Sequence, residues 1–540
     1  MYKRKMWFGT AAIITMISVL LLRYTHAVGA KEAQRCVLYI RRDNGEVVFS
    51  LCAELQYDMP VCVDSWEKDG EYWLFLPAVF RGREVLFGQE SLVLEEGSLV
   101  LSCEDGKEEK VHILFGSEIP CAWMNTESGM LQFLKESKEN QERGSLCFVA
   151  ADGTQEYAGE LKKVKIRGNA TRLQPKSPFR IRLDHSASLA GLGNSDDYVL
   201  LAEYGDISLM RNKLAMELAG QTTELYEPDG MYMDLYVNGE YMGVYLICEG
   251  ISVGMNRLEI TDLEAETDKI NRKALKEYAA FQDVSGEDTM AKGYEIPRNP
   301  ENITGGYLLE LEYRDRYEGQ ETTGFRTDRG RSLVIKEPSY ASREQVDYIR
   351  EQFQQVEDAM YAEDFHVWPE GPGLDEVADM ESLVHKYLID EICMNTDPWT
   401  SQFLYKDRDE EQFHFGPAWD YDMAFGHYDT GFSPEEFYVN HHIWYEPVYD
   451  DPIFQELLKE QYENDYLPVL KALVEQKIPE WKEILLDSAC MNFVRWDIEE
   501  IYERNSIIHT GDSFEECVDE LRSFIDIRTG FLTSQWLEKP

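Results

Sequence analysis

Residues 380–426, MESLVHKYLIDEICMNTDPWTSQFLYKDRDEEQFHFGPAWDYDMAFG, restrict the fold more than any other stretch, because they impose four elements in a fixed order. Met380, Leu383, Val384, Tyr387, Leu388 and Ile392 recur at three- and four-residue intervals and so share one face of a helix. Asp397-Pro398 is expected to stop that helix, since a residue before proline is pushed out of the helical region. Residues 403–405 and 413–415 read as two short strands joined by the charged turn 406–411. The second strand runs into Gly416-Pro417 and then Trp419-Asp420-Tyr421-Asp422. Two carboxylate clusters are thereby delivered to the same end of one hairpin.

A chain of 540 residues is too long for one compact core, and two or three domains are expected. With 44% hydrophobic residues there is ample material for packed cores. The 101 acidic against 53 basic residues give a formal net charge of −48, a field that argues against nucleic-acid and anionic-lipid partners. Lys3, Arg4 and Lys5 precede an apolar run over residues 6–22, and Val28-Gly29-Ala30 offers small residues of the kind a signal peptidase accepts. Residues 1–30 therefore predict export, as a cleaved signal peptide or as a single N-terminal membrane span. The bulk of the chain then lies outside the cytoplasm. The ten cysteines are scattered, with no zinc-like spacing. Six fall before residue 150 and allow a disulfide or two there, whereas Cys248 and Cys393 sit in apolar runs and are expected as buried free thiols.

The pattern divides the rest of the chain in three. Residues 36–150 alternate in short apolar runs separated by Asp43-Asn44-Gly45, Asp69-Gly70 and Asp105-Gly106, which predicts a β-sandwich-like module without a catalytic constellation. Residues 154–451 mix strands (163–167, 179–183, 232–237, 241–248, 306–311, 332–336) with helices (208–219, 343–361), and Asn238-Gly239 is a strong hairpin signal. Residues 264–299 show no clear period and read as a polar surface excursion. Residues 452–540 form a helical C-terminal region. The fold class expected is α+β.

Three elements upstream of residue 380 bear on chemistry. Lys165 to Thr171, then Lys176 and Phe179-Arg180-Ile181-Arg182, concentrate cations around a Gly-Asn turn that could meet phosphate oxygens, or merely pair with nearby carboxylates. Arg211 stands at a helix start, where the N-terminus favours anions. Glu249, Glu310, Glu312 and Lys336 end or close apolar strands, which either caps a sheet or lines a cleft. Asp397 after a helix and Asp420 after a hairpin, 23 residues apart, could orient a hydroxyl and hold a divalent cation between phosphates. An aspartate pair also serves glycoside hydrolysis, and the pair alone does not choose.

The blocks KVKIRGNATRLQPKSPFRIRL, YVLLAEYGDISLMRNKLAMEL, MDLYVNGEYMGVYLICE, GGYLLELE, LVIKEP and DEICMNTDPWTSQFLYKD…FHFGPAWDYDMAFG, taken together and in this order, resemble the CotH kinase family, named after spore coat protein H. The resemblance covers roughly residues 160 to 450. It implies an atypical protein-kinase-like domain that transfers phosphate from ATP, with Mg2+ or Mn2+, to Ser or Thr of a protein substrate. It further implies Asp397 as the catalytic aspartate and Asp420 as a metal ligand, with Asp422 in a supporting metal position and Gln402, or Ser401 in its place, standing for the amide expected a few residues after the catalytic aspartate. Arg167, Lys176, Arg180 and Arg211 resemble the cations expected to meet nucleotide phosphates, and Glu249 resembles a partner that orients one of them. Ala170, Arg172 and Ser177 depart from the family's usual RGNSTW and KKP, and Ser177 removes one cation. A binding or adhesion protein with weak catalysis on the same fold is the alternative.

Overall fold

The structure, a computed structural model, describes residues 35–41, 47–54, 57–87, 90–102, 108–285, 288–362 and 371–539. The signal or anchor expected at residues 1–30 lies outside them. Among the described residues no helix is long and apolar enough to cross a membrane. The chain is mixed α+β and divides into two compact units: Met1–Ala202 with Met231–Ile247 and Glu483–Asp497, and Glu203–Gly230 with Cys248–Lys482 and Ile498–Pro540.

In the first unit, two small sheets stand where the alternating runs predict a sandwich. One has the order Cys62–Asp64, Arg35–Arg41, Val47–Glu54, Glu84–Phe87, Glu90–Val93; the other runs Trp66–Lys68, Glu71–Leu76, Glu108–Phe115, Gly97–Ser102. Leu38, Ile40 and Val63 of the first sheet share an apolar layer with Leu74, Val111 and Ile113 of the second. The strands Cys121–Thr126 and Glu142–Val149, expected in the same module, instead belong to a closed seven-stranded barrel. Parallel pairing of Cys121–Thr126 with Gly230–Val237 closes it, Cys121 opposite Asp234 and Met124 opposite Val237. Short strands with similar alternation do not declare which sheet they join; that is decided by pairing across some hundred residues. The barrel is filled by every second residue of its staves, such as Val164 and Ile166, Phe179, Ile181 and Leu183, and Leu235 and Val237. Its predicted Asn238-Gly239 turn has both residues at positive φ, 53° and 92°.

The helical residues of this unit dock on the barrel through polar groups. Asn492 Oδ1 accepts from Val244 N (3.1 Å) and Lys176 Nζ (2.9 Å), and Ser488 Oγ donates to Asp234 Oδ2 (2.8 Å). Gly243 permits the approach, with φ of 107° and a hypothetical Cβ only 2.3 Å from Asn492 Oδ1.

The second unit is built on a seven-stranded antiparallel sheet in the order Ala280–Ser285, Asp288–Tyr294, Gly324–Arg326, Ser332–Glu337, Tyr307–Glu312, Gln402–Lys406, His414–Phe415. Helix Arg343–Met360 starts at a reciprocal Ser342/Gln345 cap. Residues 264–299 are not an excursion. They contribute most of helix Leu263–Ile270 and the two strands at one edge of the sheet, whose buried Phe281 and Ala291 are too few to show a period among charged neighbours.

Helix Met380–Cys393 is buried on nearly every side, Lys386, Asp390 and Glu391 included, so the three-and-four spacing of its apolar residues marks only part of its buried surface. It ends at Cys393, short of the proline: Met394 turns left-handed (φ 52°) and its N–H caps the last carbonyls. Cys248 and Cys393 are buried, and Cys393 and Cys147 are free thiols.

Candidate active site

The last turn of helix Met380–Cys393 anchors both acidic loops through one buried carboxylate, Asp390. Its Oδ1 accepts from Lys386 Nζ (2.7 Å), Asn395 Nδ2 (2.9 Å) and the Tyr421 hydroxyl (2.7 Å), and its Oδ2 from the Tyr445 hydroxyl (2.8 Å). Burial opposes the charge, but the Lys386 ammonium and the hydrogen bonds outweigh it and hold the carboxyl below its ordinary range. Asn395 in turn accepts the Asp397 N–H (3.0 Å), an Asx-type turn that fixes the first loop. Tyr421 follows Asp420 directly, and its N–H is held by Asn212 Oδ1 (2.9 Å).

The two loops meet at Ser401, whose hydroxyl donates to Asp420 Oδ2 (3.3 Å). Ser401 and Asp420 both have left-handed backbones, φ 55° and 72°, a conformation that concentrates at functional sites. Asp397 is half-buried and accepts from the Tyr313 hydroxyl at Oδ1 (3.0 Å). The wall beside it is Glu312, which burial pushes above the ordinary carboxylate range; its Oε1 accepts from Thr400 Oγ1 (2.9 Å) and Tyr313 N (2.7 Å). Asp420 is exposed and Asp422 half-buried at the mouth of the second loop.

The remaining residues singled out in the sequence fall elsewhere. Gln402 pairs with Leu311 in the sheet and is buried there, where its amide nitrogen has no hydrogen-bond partner among the described residues. It is Ser401 that reaches Asp420. Arg211 is engaged inside the fold: it is ion-paired to buried Asp206 and donates to Ala424 O (3.1 Å). Asp206 Oδ2 also accepts the helix-start N–H groups of Met210 and Arg211 (3.0 and 2.9 Å). The anion expected at that helix start is therefore supplied from within. Glu249 does orient a cation, but Arg257 (2.8 Å), and it also accepts from the Tyr226 hydroxyl (3.2 Å). In the first unit, Arg180 makes a bidentate pair with Asp197 (2.7 and 3.0 Å) and Arg167 is half-buried. Lys176, 1% exposed, donates to Val244 O (2.6 Å) and Asn492.

Sequence reasoning missed Asp390, Asn395 and Tyr313, and gave Ser401 only as the substitute for Gln402. Two signals were available: Lys386 and Asp390 are opposite charges one turn apart in an apolar helix, and Asn395-x-Asp397 has the spacing of an Asx turn. Nothing local points to Tyr313, which reaches the site from another strand end.

A divalent cation carried with nucleotide phosphates takes oxygen donors and needs only one or two carboxylates from the protein. Among the described residues no group of three or more His, Cys, Asp or Glu is arranged to hold a metal. Asp420, with the Ser401 hydroxyl on its Oδ2 and Asp422 two residues further along the same loop, offers the one or two carboxylates such a cation uses, so the residues present fit it. A helix leading to one aspartate loop, a hairpin, and a second aspartate loop folded back on the first follow the order of elements that protein kinases use. The profile of the family described as CotH kinase protein matches residues 164–532, and the chain belongs to that family. The match extends through the C-terminal helices, well beyond the roughly 160–450 spanned by the sequence blocks. A search of curated proteins finds no match.

Proposed function

We propose that this protein transfers the γ-phosphoryl group of ATP, with Mg2+ or Mn2+, to Ser or Thr hydroxyls of a protein. The observation that carries the reading is the Ser401–Asp420 hydrogen bond, which closes the Asp397 loop onto the Asp420 loop. In this reading Asp397 accepts the hydrogen bond of the acceptor hydroxyl and takes its proton. Asp420, with Asp422 beside it, holds the cation, whose part is to neutralise charge on the phosphates. Asp390 keeps the two loops in register from below. The reading includes export, resting on residues 1–30, with the catalytic part outside the cytoplasm.

Purified protein lacking residues 1–30 is expected to move labelled γ-phosphate onto a Ser-rich protein in the presence of Mg2+ or Mn2+. Asp397→Asn and Asp420→Ala are expected to lose at least a hundredfold in rate. Equal transfer by Asp420→Ala would remove the cation assignment. The second reading, a binding protein with weak transfer, is favoured by the enclosure of Lys176 and Arg211 in contacts within the fold. Millimolar Mg·ATP separates the two, since a ligand of the native state raises the melting temperature and the second reading gives no shift.

A further inference from the structure

We propose that Tyr313 is the chain's own first phosphoacceptor, modified in cis by the site that Asp397 and Asp420 form. The proposal rests on the phosphotransferase reading above and adds an acceptor to it.

An acceptor hydroxyl in phosphoryl transfer has to donate a hydrogen bond to the catalytic aspartate, within about 2.6–3.2 Å. The Tyr313 phenol already makes that bond to Asp397 Oδ1, at 3.0 Å. Its placement is fixed from both sides by one group, because Glu312 Oε1 accepts the Tyr313 N–H and also the hydroxyl of Thr400, three residues after Asp397. An acceptor held in this way needs no encounter step, and such preorganisation substitutes for affinity. Tyr313 is also 41% exposed, which leaves room for a phosphate on the phenol. A cation lies beside the phenol for the product: the Arg316 guanidinium, 3.3 Å from Glu312 Oε1, is 5.2 Å from the Tyr313 ring centroid and would exchange that carboxylate for the phosphate.

In the step, the phenolic oxygen of Tyr313 forms a bond to the γ-phosphorus of a nucleoside triphosphate. The bond from that phosphorus to the β,γ-bridging oxygen breaks, and the nucleoside diphosphate departs with its electron pair. The phenolic proton passes to Asp397. Once Asp397 has passed that proton to water, the phosphate dianion on Tyr313 faces its carboxylate as a like charge, so the ring turns toward Arg316 and leaves Asp397 open to a hydroxyl from another protein.

The test uses the full chain with Mg·ATP or Mn·ATP and maps phosphate by peptide mass spectrometry. Phosphate is expected on Tyr313, at a rate per molecule unchanged by tenfold dilution, and absent in Asp397→Asn and Asp420→Ala. Transfer to an added Ser-rich protein with none on Tyr313 overturns this inference and leaves the transferase reading standing. No transfer to any acceptor overturns both, and a Tyr313 rate that falls with dilution overturns the cis step. A readout without nucleotide is nitration of Tyr313 by tetranitromethane, which attacks the phenolate. Burial and the Asp397 carboxylate together push this phenol up to about 12. Asp397→Ala is therefore expected to speed nitration at Tyr313 severalfold, and an unchanged rate overturns the placement of the phenol.

Discussion

Replacing Asp390 by asparagine should damage stability and both acidic loops together. The carboxylate is fully buried, and its partner Lys386 is 2% exposed. Asp390→Asn keeps the volume and one acceptor oxygen but strands the buried Lys386 ammonium, which lies 2.7 Å away. Stranding one member of a buried pair costs about 3–5 kcal/mol, a fifth or more of the roughly 5–15 kcal/mol that holds a typical native protein together. Urea unfolding at pH 7 measures the loss from the midpoint at constant slope. Adding Lys386→Met should recover at least about 1 kcal/mol, because contacting residues couple; simply additive losses would refute the pair. The sign with pH is also fixed. A carboxyl whose folded pKa is depressed contributes fully above its unfolded value, about 3.9, and loses that contribution as pH falls through the folded value. The gap between wild type and Asp390→Asn should therefore narrow toward pH 3. Hydrogen exchange over residues 395–401 and 419–423 should rise in the variant, and protection unchanged in both loops would show that Asp390 does not organise them.

Three further outcomes follow from buried groups. Asp234, pushed up to about 7 by burial against the hydrogen bonds from Ser488 and Tyr241, stays protonated in the folded chain where the unfolded chain is ionised. Stability should therefore fall as pH rises from about 4 to 7, by roughly 4 kcal/mol; Asp234→Asn should flatten that slope in urea midpoints, and an unchanged slope would exclude Asp234 as its source. Arg211→Met leaves the Asp206 carboxylate buried without its guanidinium and should cost about 3–5 kcal/mol in the same assay, whereas a solvent-facing phosphate contact would cost little. Gly243→Ala, at φ 107° and with its Cβ 2.3 Å from Asn492 Oδ1, should lower stability by about 1–3 kcal/mol, and an equal midpoint would mean that Asn492 can move aside.

The acidic stretch was legible because its information is local. Helical spacing, a proline, a charged turn and a Gly-Pro step give the order of elements and deliver Asp397 and Asp420 to one hairpin end, and the Ser401–Asp420 contact agrees. What the sequence hid is set by distant pairing. Cys121–Thr126 looks like one more sandwich strand, yet it closes a barrel with a partner more than a hundred residues on. The cations were the hardest to read. Arg and Lys in an acidic chain suggest a ligand, but a buried carboxylate such as Asp206, or a carbonyl such as that of Val244, satisfies them equally well and leaves no local mark. Tyr313 escaped for the same reason, since its bond to Asp397 spans 84 residues.

The central claim is that Asp397 and Asp420 form a single cation-dependent phosphate site. Its most direct test is calorimetric titration of Mn·ATP into the wild-type chain and into Asp420→Ala, with Mn2+ alone and ATP alone as references. One Mn·ATP per chain is expected, with binding that requires the cation and a constant at least tenfold weaker in the variant, about 1.4 kcal/mol. Equal affinity in the two proteins, or equal affinity for ATP with and without Mn2+, would contradict it.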